Sequence, residues 1–242
     1  MCSWNPFQWV QSHYGGKPSR IHMEGFLQCW NSFFENNLVE PHIPLFKTNG
    51  LDVIDFRRGK KNHRFLKRSQ EMEAAIRIAG EEIIKAHNDP TTSIDGMIYC
   101  MYTLTDGAVN PLYVGKAERV GIKGGLSQNF SDIHRPSGLK FARWGYGYYY
   151  HIGDLSRAVF GHEGKSVPKY RRWQEALFDG PTAHLKEQVF FWCKVWNHNE
   201  VGPWVEYGPT SLSFLEYQLI GVGSKINPNI LNSEGTSFKT SS

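Results

Sequence analysis

The chain has 242 residues, of which 40% are hydrophobic, 21% charged and 14% aromatic, and its net charge is +4, which is an ordinary globular composition. That length suits one medium domain, or a small catalytic domain with an extension. No apolar run approaches the roughly 20 residues that span a bilayer. The N-terminus lacks the basic-then-apolar order of a secretion signal. Cys2, Cys29, Cys100 and Cys193 are far apart, with no Cys-x-x-Cys pair and no His-Glu-x-x-His pattern elsewhere. A membrane span, a disulfide scaffold and a zinc site are therefore not indicated, and a cytoplasmic location is expected.

In chain order, the first 50 residues are aromatic-rich and broken by Gly and Pro. One helix is expected there, over Glu24 to Asn36, where Phe26, Leu27, Trp30, Phe33 and Phe34 recur at helical spacing. A basic run follows at residues 57–68, in which Arg57, Arg58, Lys60, Lys61, Arg64, Lys67 and Arg68 occur without an acid. Removing these seven cations from a net +4 leaves −3, so this one segment supplies the whole positive excess. It reads either as a solvated link or as an arm that contacts the phosphates of DNA. Ser69 to His87 places Met72, Ala75, Ile76, Ala79 and Ile83 on one face, with Glu71 and Glu73 in the first turn. That pattern predicts an amphipathic helix, stopped by Asn88-Asp89-Pro90. The main boundary is placed here, after a helical and basic extension over 1–93.

The texture then turns to β. Met97 to Leu104 and Asn110 to Val114 are β-rich, and Asp106-Gly107 marks a turn between them, so the pair resembles a hairpin with a loop longer than two residues. Gly121 to Asn129 is Gly-rich with weak helical character, and an aromatic block occupies Trp144 to Tyr150. That block reads as strand packing or as a platform for stacking bases. Helices are expected near Ile152 to Phe160 and from Lys169 to Phe178, and a strand over Gln188 to Trp196. Pro209-Thr210-Ser211 opens a further helix carrying Leu212, Leu215, Leu219 and Ile220 on one side, and the small polar residues at 233–242 read as a flexible tail.

Four features of this second part occur in a defined order. Gly96-Met97-Ile98-Tyr99 lies on the first hairpin strand and Leu112-Tyr113-Val114-Gly115-Lys116 on the second. Ser213-Phe214-Leu215-Glu216-Tyr217-Gln218-Leu219-Ile220 follows far downstream, and then Asn227-Pro228-Asn229-Ile230-Leu231-Asn232. The ordered set resembles the GIY-YIG nucleases over roughly residues 94–232, whereas residues 1–93 carry no such resemblance. There are two departures. The family's first Gly falls at Met97, one place after Gly96, and the stretch following Lys116 is long. The family's helical arginine is accordingly assigned to Arg143, with Arg119 and Arg135 as alternatives.

The resemblance implies an α+β fold, with a small, mainly antiparallel, three-stranded sheet flanked by helices and an N-terminal helical extension. It also implies a divalent-metal-dependent endonuclease acting on DNA, with Mg²⁺ or Mn²⁺ as cofactor. The Tyr-Val-Gly-Lys order is most similar to restriction-type members, so a restriction or defence role is expected. The residue types suit the reaction. Breaking a phosphodiester needs an activated water, neutralised phosphoryl oxygens and help for the leaving oxygen. Glu216 is the implied metal ligand, because a lone carboxylate suits a Mg²⁺ that keeps several waters. Arg143 would hold phosphate oxygens through its fork of donors. Tyr99 or Tyr113 would orient or deprotonate the water. A free phenol, with a pKa near ~10, is a poor base at neutral pH, so Lys116 is expected to supply a neighbouring cation. His151 is the alternative base or a partner of the leaving group, and Asn232 is a positioning residue. The rival reading is a non-catalytic nucleic-acid-binding protein that retains the fold. It predicts that Tyr99, Tyr113, Arg143 and Glu216 scatter instead of facing one groove.

Overall fold

In the computed structural model, which describes residues 20–38, 41–162 and 167–236, helix α1 (Arg20–Asn37) leads into a short strand β1 (Ile43–Pro44). A small turn of β2 (Thr48–Asn49) and β3 (Asp52–Val53) follows, then a hairpin of β4 (Asp55–Arg58) and β5 (His63–Leu66), and helix α2 (Gln70–His87). Next come the long strands β6 (Ile94–Thr105) and β7 (Ala108–Glu118), a single turn of helix α3 (Gln128–Ser131), and helices α4 (His151–Phe160) and α5 (Pro168–Leu177). Strand β8 (Phe190–Asn197) and helix α6 (Leu212–Ile226) complete the order. No helix among the described residues is long and apolar enough to cross a membrane. The N-terminal segment judged for a secretion signal, Cys2, and residues 237–242 of the expected tail lie outside the described residues.

The fold is α+β, as expected, but the sheet has four strands instead of three, in the order β1-β8-β6-β7, all antiparallel. The added strand is β1, where Ile43 and Pro44 pair with Phe191 and Phe190. Two residues are too few to show alternation, and the proline is tolerated because the strand lies at an edge. The β6–β7 hairpin also closes more tightly than the sequence implied. Asp106 (φ 50°) and Gly107 (φ 79°) form a two-residue turn with both residues left-handed, which matches the twist of the flanking strands.

Each face of the sheet has its own core. Alternation sends Met97, Tyr99 and Met101 to one face, where they meet Met72, Ile76 and Ile83 of α2, Ile152 and Leu155 of α4, and Trp173 of α5. Ile98, Cys100 and Tyr102 point the other way, onto Trp30, Phe33 and Phe34 of α1 and Leu215 and Leu219 of α6. Residues on both sides of position 93 thus contribute to shared cores. Ser69 caps α2 as its sequence requires, accepting the Met72 N–H at 2.9 Å. The basic run is not an open link. It forms the β4–β5 hairpin, tied to α4 where the Leu66 N–H donates to Ser156 Oγ at 3.0 Å. The aromatic block forms turns, not a strand.

Candidate active site

Tyr99 pairs with Gly115 and Met101 with Tyr113, so the two tyrosines are diagonal neighbours on one face of β6–β7, with ring centroids 6.4 Å apart. Gly115 is what allows this. A Cβ there would sit 2.6 Å from the Tyr99 ring and hydroxyl, so only glycine lets the ring lie across β7. Gly96 has a similar reason to be one place early. Its φ is +153°, the register shifts between Ile94 and Gly96, and a Cβ would stand 2.3 Å from the Ala117 carbonyl oxygen. Met97, at the motif's glycine position, is a fully buried core side chain.

The second wall comes from α4 and the loop before it. The His151 N–H donates to the Arg143 carbonyl at 2.8 Å, and Gly153 admits the loop so closely that a Cβ would meet the Gly147 oxygen at 2.1 Å. Three non-glycine residues of this loop are left-handed: Ala142 (φ 42°), Arg143 (φ 73°) and Tyr149 (φ 66°). Such backbone is costly, and it concentrates where a site over-determines its geometry. The fully buried Tyr99 hydroxyl lies 3.0 Å from His151 Nε2, and His151 Nδ1 lies 2.9 Å from the Tyr170 hydroxyl. A neutral imidazole carries one proton, so one tyrosine donates to the ring and the other accepts from it.

Pro168 opens α5 at a position where its missing N–H costs nothing, and it brings Lys169 and Tyr170 into the first turn. Lys169 Nζ donates to the Tyr113 hydroxyl at 3.0 Å and sits 4.3 Å from the centre of that ring. Ser211 caps α6, and Glu216 follows in its second turn, half-buried, its carboxylate accepting the Lys116 backbone N–H. Asn232 pins the strand from the far side. It accepts from Val114 N–H at 3.0 Å and donates to the Val114 carbonyl at 2.8 Å, a positioning contact.

No family model, characterised protein or solved structure matches the chain. Its chemistry rests on this geometry alone.

The electrostatics follow from burial. Burial pushes Tyr99 well above the usual phenol range, Tyr113 and Glu216 add to the shift, and Arg143 opposes it. Tyr113 is raised by burial and by Glu216, again against Arg143. His151 is held well below its ordinary value by burial, then by Lys169 and Arg143, so its ring is neutral at pH 7. Burial, with Arg143, brings Lys169 down to about 8 against the opposing pull of Glu216. Burial raises Glu216, and Lys116 works in the other direction.

Tyr99, Tyr113, Arg143, His151 and Glu216 therefore share one electrostatic neighbourhood beside β7. Lys116 has a different task from the one expected of it. Its Nζ bonds to Glu118 Oε1 at 2.6 Å and to Ser213 Oγ, tying β7 to α6. The cation on the Tyr113 hydroxyl is Lys169, which sequence reasoning missed together with Tyr170. No motif marks either residue, and only the folding of α5 against α4 brings them here. Of the alternative arginines, Arg119 donates to the Ile94 carbonyl and Arg135 pairs with Asp132.

The basic run lies elsewhere. Arg57, Lys60, Lys61 and Arg64 are exposed on the β4–β5 hairpin, and Lys67 is half-buried. Arg58 donates to the Ser137 carbonyl. Arg68 is buried, held by Glu73 at 2.8 Å and by the Trp144 carbonyl at 2.7 Å, and sandwiched by Phe141 and Tyr146. A phosphate cannot reach it without displacing these partners.

The donor set also bears on a metal. Among the described residues no group of three or more His, Cys, Asp or Glu is assembled. One hard carboxylate, Glu216, beside polar hydroxyls fits an ion that keeps most of its waters, as Mg²⁺ does, and does not fit zinc.

Proposed function

We propose that the chain is a Mg²⁺-dependent endonuclease that hydrolyses phosphodiester bonds in DNA, in a restriction or defence setting. The observation that carries this reading is the packing of Tyr99, Tyr113 and His151, from two strands and a helix, into one ring cluster, with Arg143 and Glu216 near enough to act on both phenols. Glu216 would hold the ion, which supplies neutralisation of charge on the phosphoryl oxygens. Arg143 presents guanidinium donors to the same oxygens. Tyr113, fixed by Lys169, orients the attacking water by hydrogen bonding. His151, neutral at working pH and bonded to the Tyr99 hydroxyl, would hold that phenol in position.

The test is Glu216→Gln, which keeps the side chain's shape and removes its charge. Cleavage of a mixed DNA library with Mg²⁺ is expected to fall by about a thousandfold. Filter binding to the same DNA is expected to be retained or slightly tighter, because one charge repelling phosphate is gone. Near-normal cutting by the variant overturns the metal assignment. A wild-type protein that binds DNA but never cuts it supports the non-catalytic reading.

A further inference from the structure

The basic hairpin remains outside the active site, and it has a structure of its own. Between its tip and the end of α4 lies an open cleft of about 600 Å³, lined by Arg57, Lys61, His63, Arg64, Phe160 and His162 among others, with no carboxylate among the described lining residues. The walls are fixed in place. The hairpin is bonded to α4 through Leu66 and Ser156, and to the loop before α4 through Arg58 and the Ser137 carbonyl. Arg64 lies 4.2 Å from the centre of the Phe160 ring and is paired with Asp55, which leaves part of its five-donor fork unused. Arg57 donates to the Asn62 carbonyl at 3.3 Å across the turn. The His63 and His162 rings stand 4.4 Å apart, and His162 Nε2 is buried without a hydrogen-bond partner. Arg57, Lys61 and Arg64 bring three cations to one cleft, and an oxygen-rich anion is the complement of such a set.

Helix α4 connects the cleft to the candidate active site. Helix α4 begins at His151 and ends at Phe160, ten residues later. At about 1.5 Å per residue it is roughly 15 Å long. Along a duplex that rises about 3.4 Å per step, a length of that order spans about four to five base pairs.

We propose that this cleft is a second phosphate seat, which grips a backbone phosphate of DNA about four to five steps from the bond held at the active site. The spacing rests on the nuclease reading, whereas the seat itself does not. The cations neutralise the phosphate, and the hairpin, bonded to its neighbours, holds them ready without a large ordering cost.

The experiment uses the full chain and two probes, a 20-base-pair DNA duplex and inorganic phosphate. The perturbed variant is Arg57→Gln/Lys61→Gln, whose sites are exposed, so that folding is spared. DNA affinity is measured across a salt series, and the His63 and His162 imidazole resonances are followed with each probe. The variant is expected to lower the slope of log affinity against log salt by about 0.9 for each DNA phosphate it no longer neutralises. Both probes are expected to shift the two imidazoles in the wild type. Imidazole shifts with inorganic phosphate but none with DNA, and an unchanged salt slope, would replace the nucleic acid with a free phosphate compound and overturn the proposed partner. No shift with either probe overturns the seat. Neither readout requires cutting, so a protein that never cleaves DNA leaves this test intact. If the protein cuts, a single uncharged methylphosphonate moved along the duplex is expected to weaken binding most at about four to five steps from the cut. A uniform response to its position refutes the spacing.

Discussion

Gly115→Ala gives the sharpest test of how the two motif strands assemble the site. The added Cβ would stand 2.6 Å from the Tyr99 ring, whereas ordinary carbon contacts lie near about 3.5 Å. The ring must therefore retreat by roughly 0.9 Å. Its hydroxyl now lies 3.0 Å from His151 Nε2, close to the ~3.2 Å limit of a good hydrogen bond, so the retreat breaks that bond. Overpacking costs about 1–3 kcal/mol, and a buried hydroxyl left unpaired costs about 1–3 kcal/mol more. For a chain of this size that total lowers the melting temperature by roughly 4–24 °C. A displacement of this size at a reacting group costs about a hundredfold in rate. The assay is thermal unfolding of Gly115→Ala, Tyr99→Leu and the double variant, beside a cleavage time course for each. Removing the ring removes the clash, so the double variant is expected to be more stable than the sum of the singles by about 1–3 kcal/mol. Wild-type melting of Gly115→Ala, or strict additivity in the double variant, refutes the reasoning whatever the protein's activity.

Because His151 is held below its ordinary value near 6.5, the unfolded chain takes up this proton more readily than the folded one. Stability is then full above pH 6.5 and is lost as pH falls below it, by up to about 1.4 kcal/mol per pH unit; denaturant melts of wild type and His151→Gln check that the variant flattens this loss. Glu216 has the opposite sign. Its raised value makes the charged form costly, so its contribution is present below the unfolded carboxyl value and lost as pH rises. Glu216→Gln should therefore melt higher than wild type at pH 7, and a lower melting point contradicts the assignment of burial as the dominant cause. Asn232→Ala leaves both backbone groups of buried Val114 unpaired, for a loss of about 1–3 kcal/mol by denaturant melts; hydrogen exchange is expected to rise first at the Val114 amide.

Local chemistry was legible in the sequence wherever a pattern has a short-range cause. The Ser69 and Ser211 caps, the period of α2, the Asp-Gly turn and the alternation of β6 each follow from a few neighbouring residues, and each element formed there. The placement of Tyr99 and Tyr113 on paired strands and of Glu216 on a helix was legible, because each follows from its own local pattern. Much of the rest needed long-range partners. Strand β1 exists because β8 leaves an open edge for two residues that show no alternation of their own. The basic run is a hairpin, and Arg68 is buried, because α4 and the aromatic loop surround them. The cation beside Tyr113 shows the difference best. Lys116 is three positions away in the chain, yet along a strand odd separations point side chains to opposite faces, which sends its amine to Ser213 and Glu118. Lys169 is 56 positions away and bonds to the phenol, because α5 packs on α4 and carries it there. Sequence spacing determines which side chains share a face. Only the packing of distant elements against that face decides which charges meet on it.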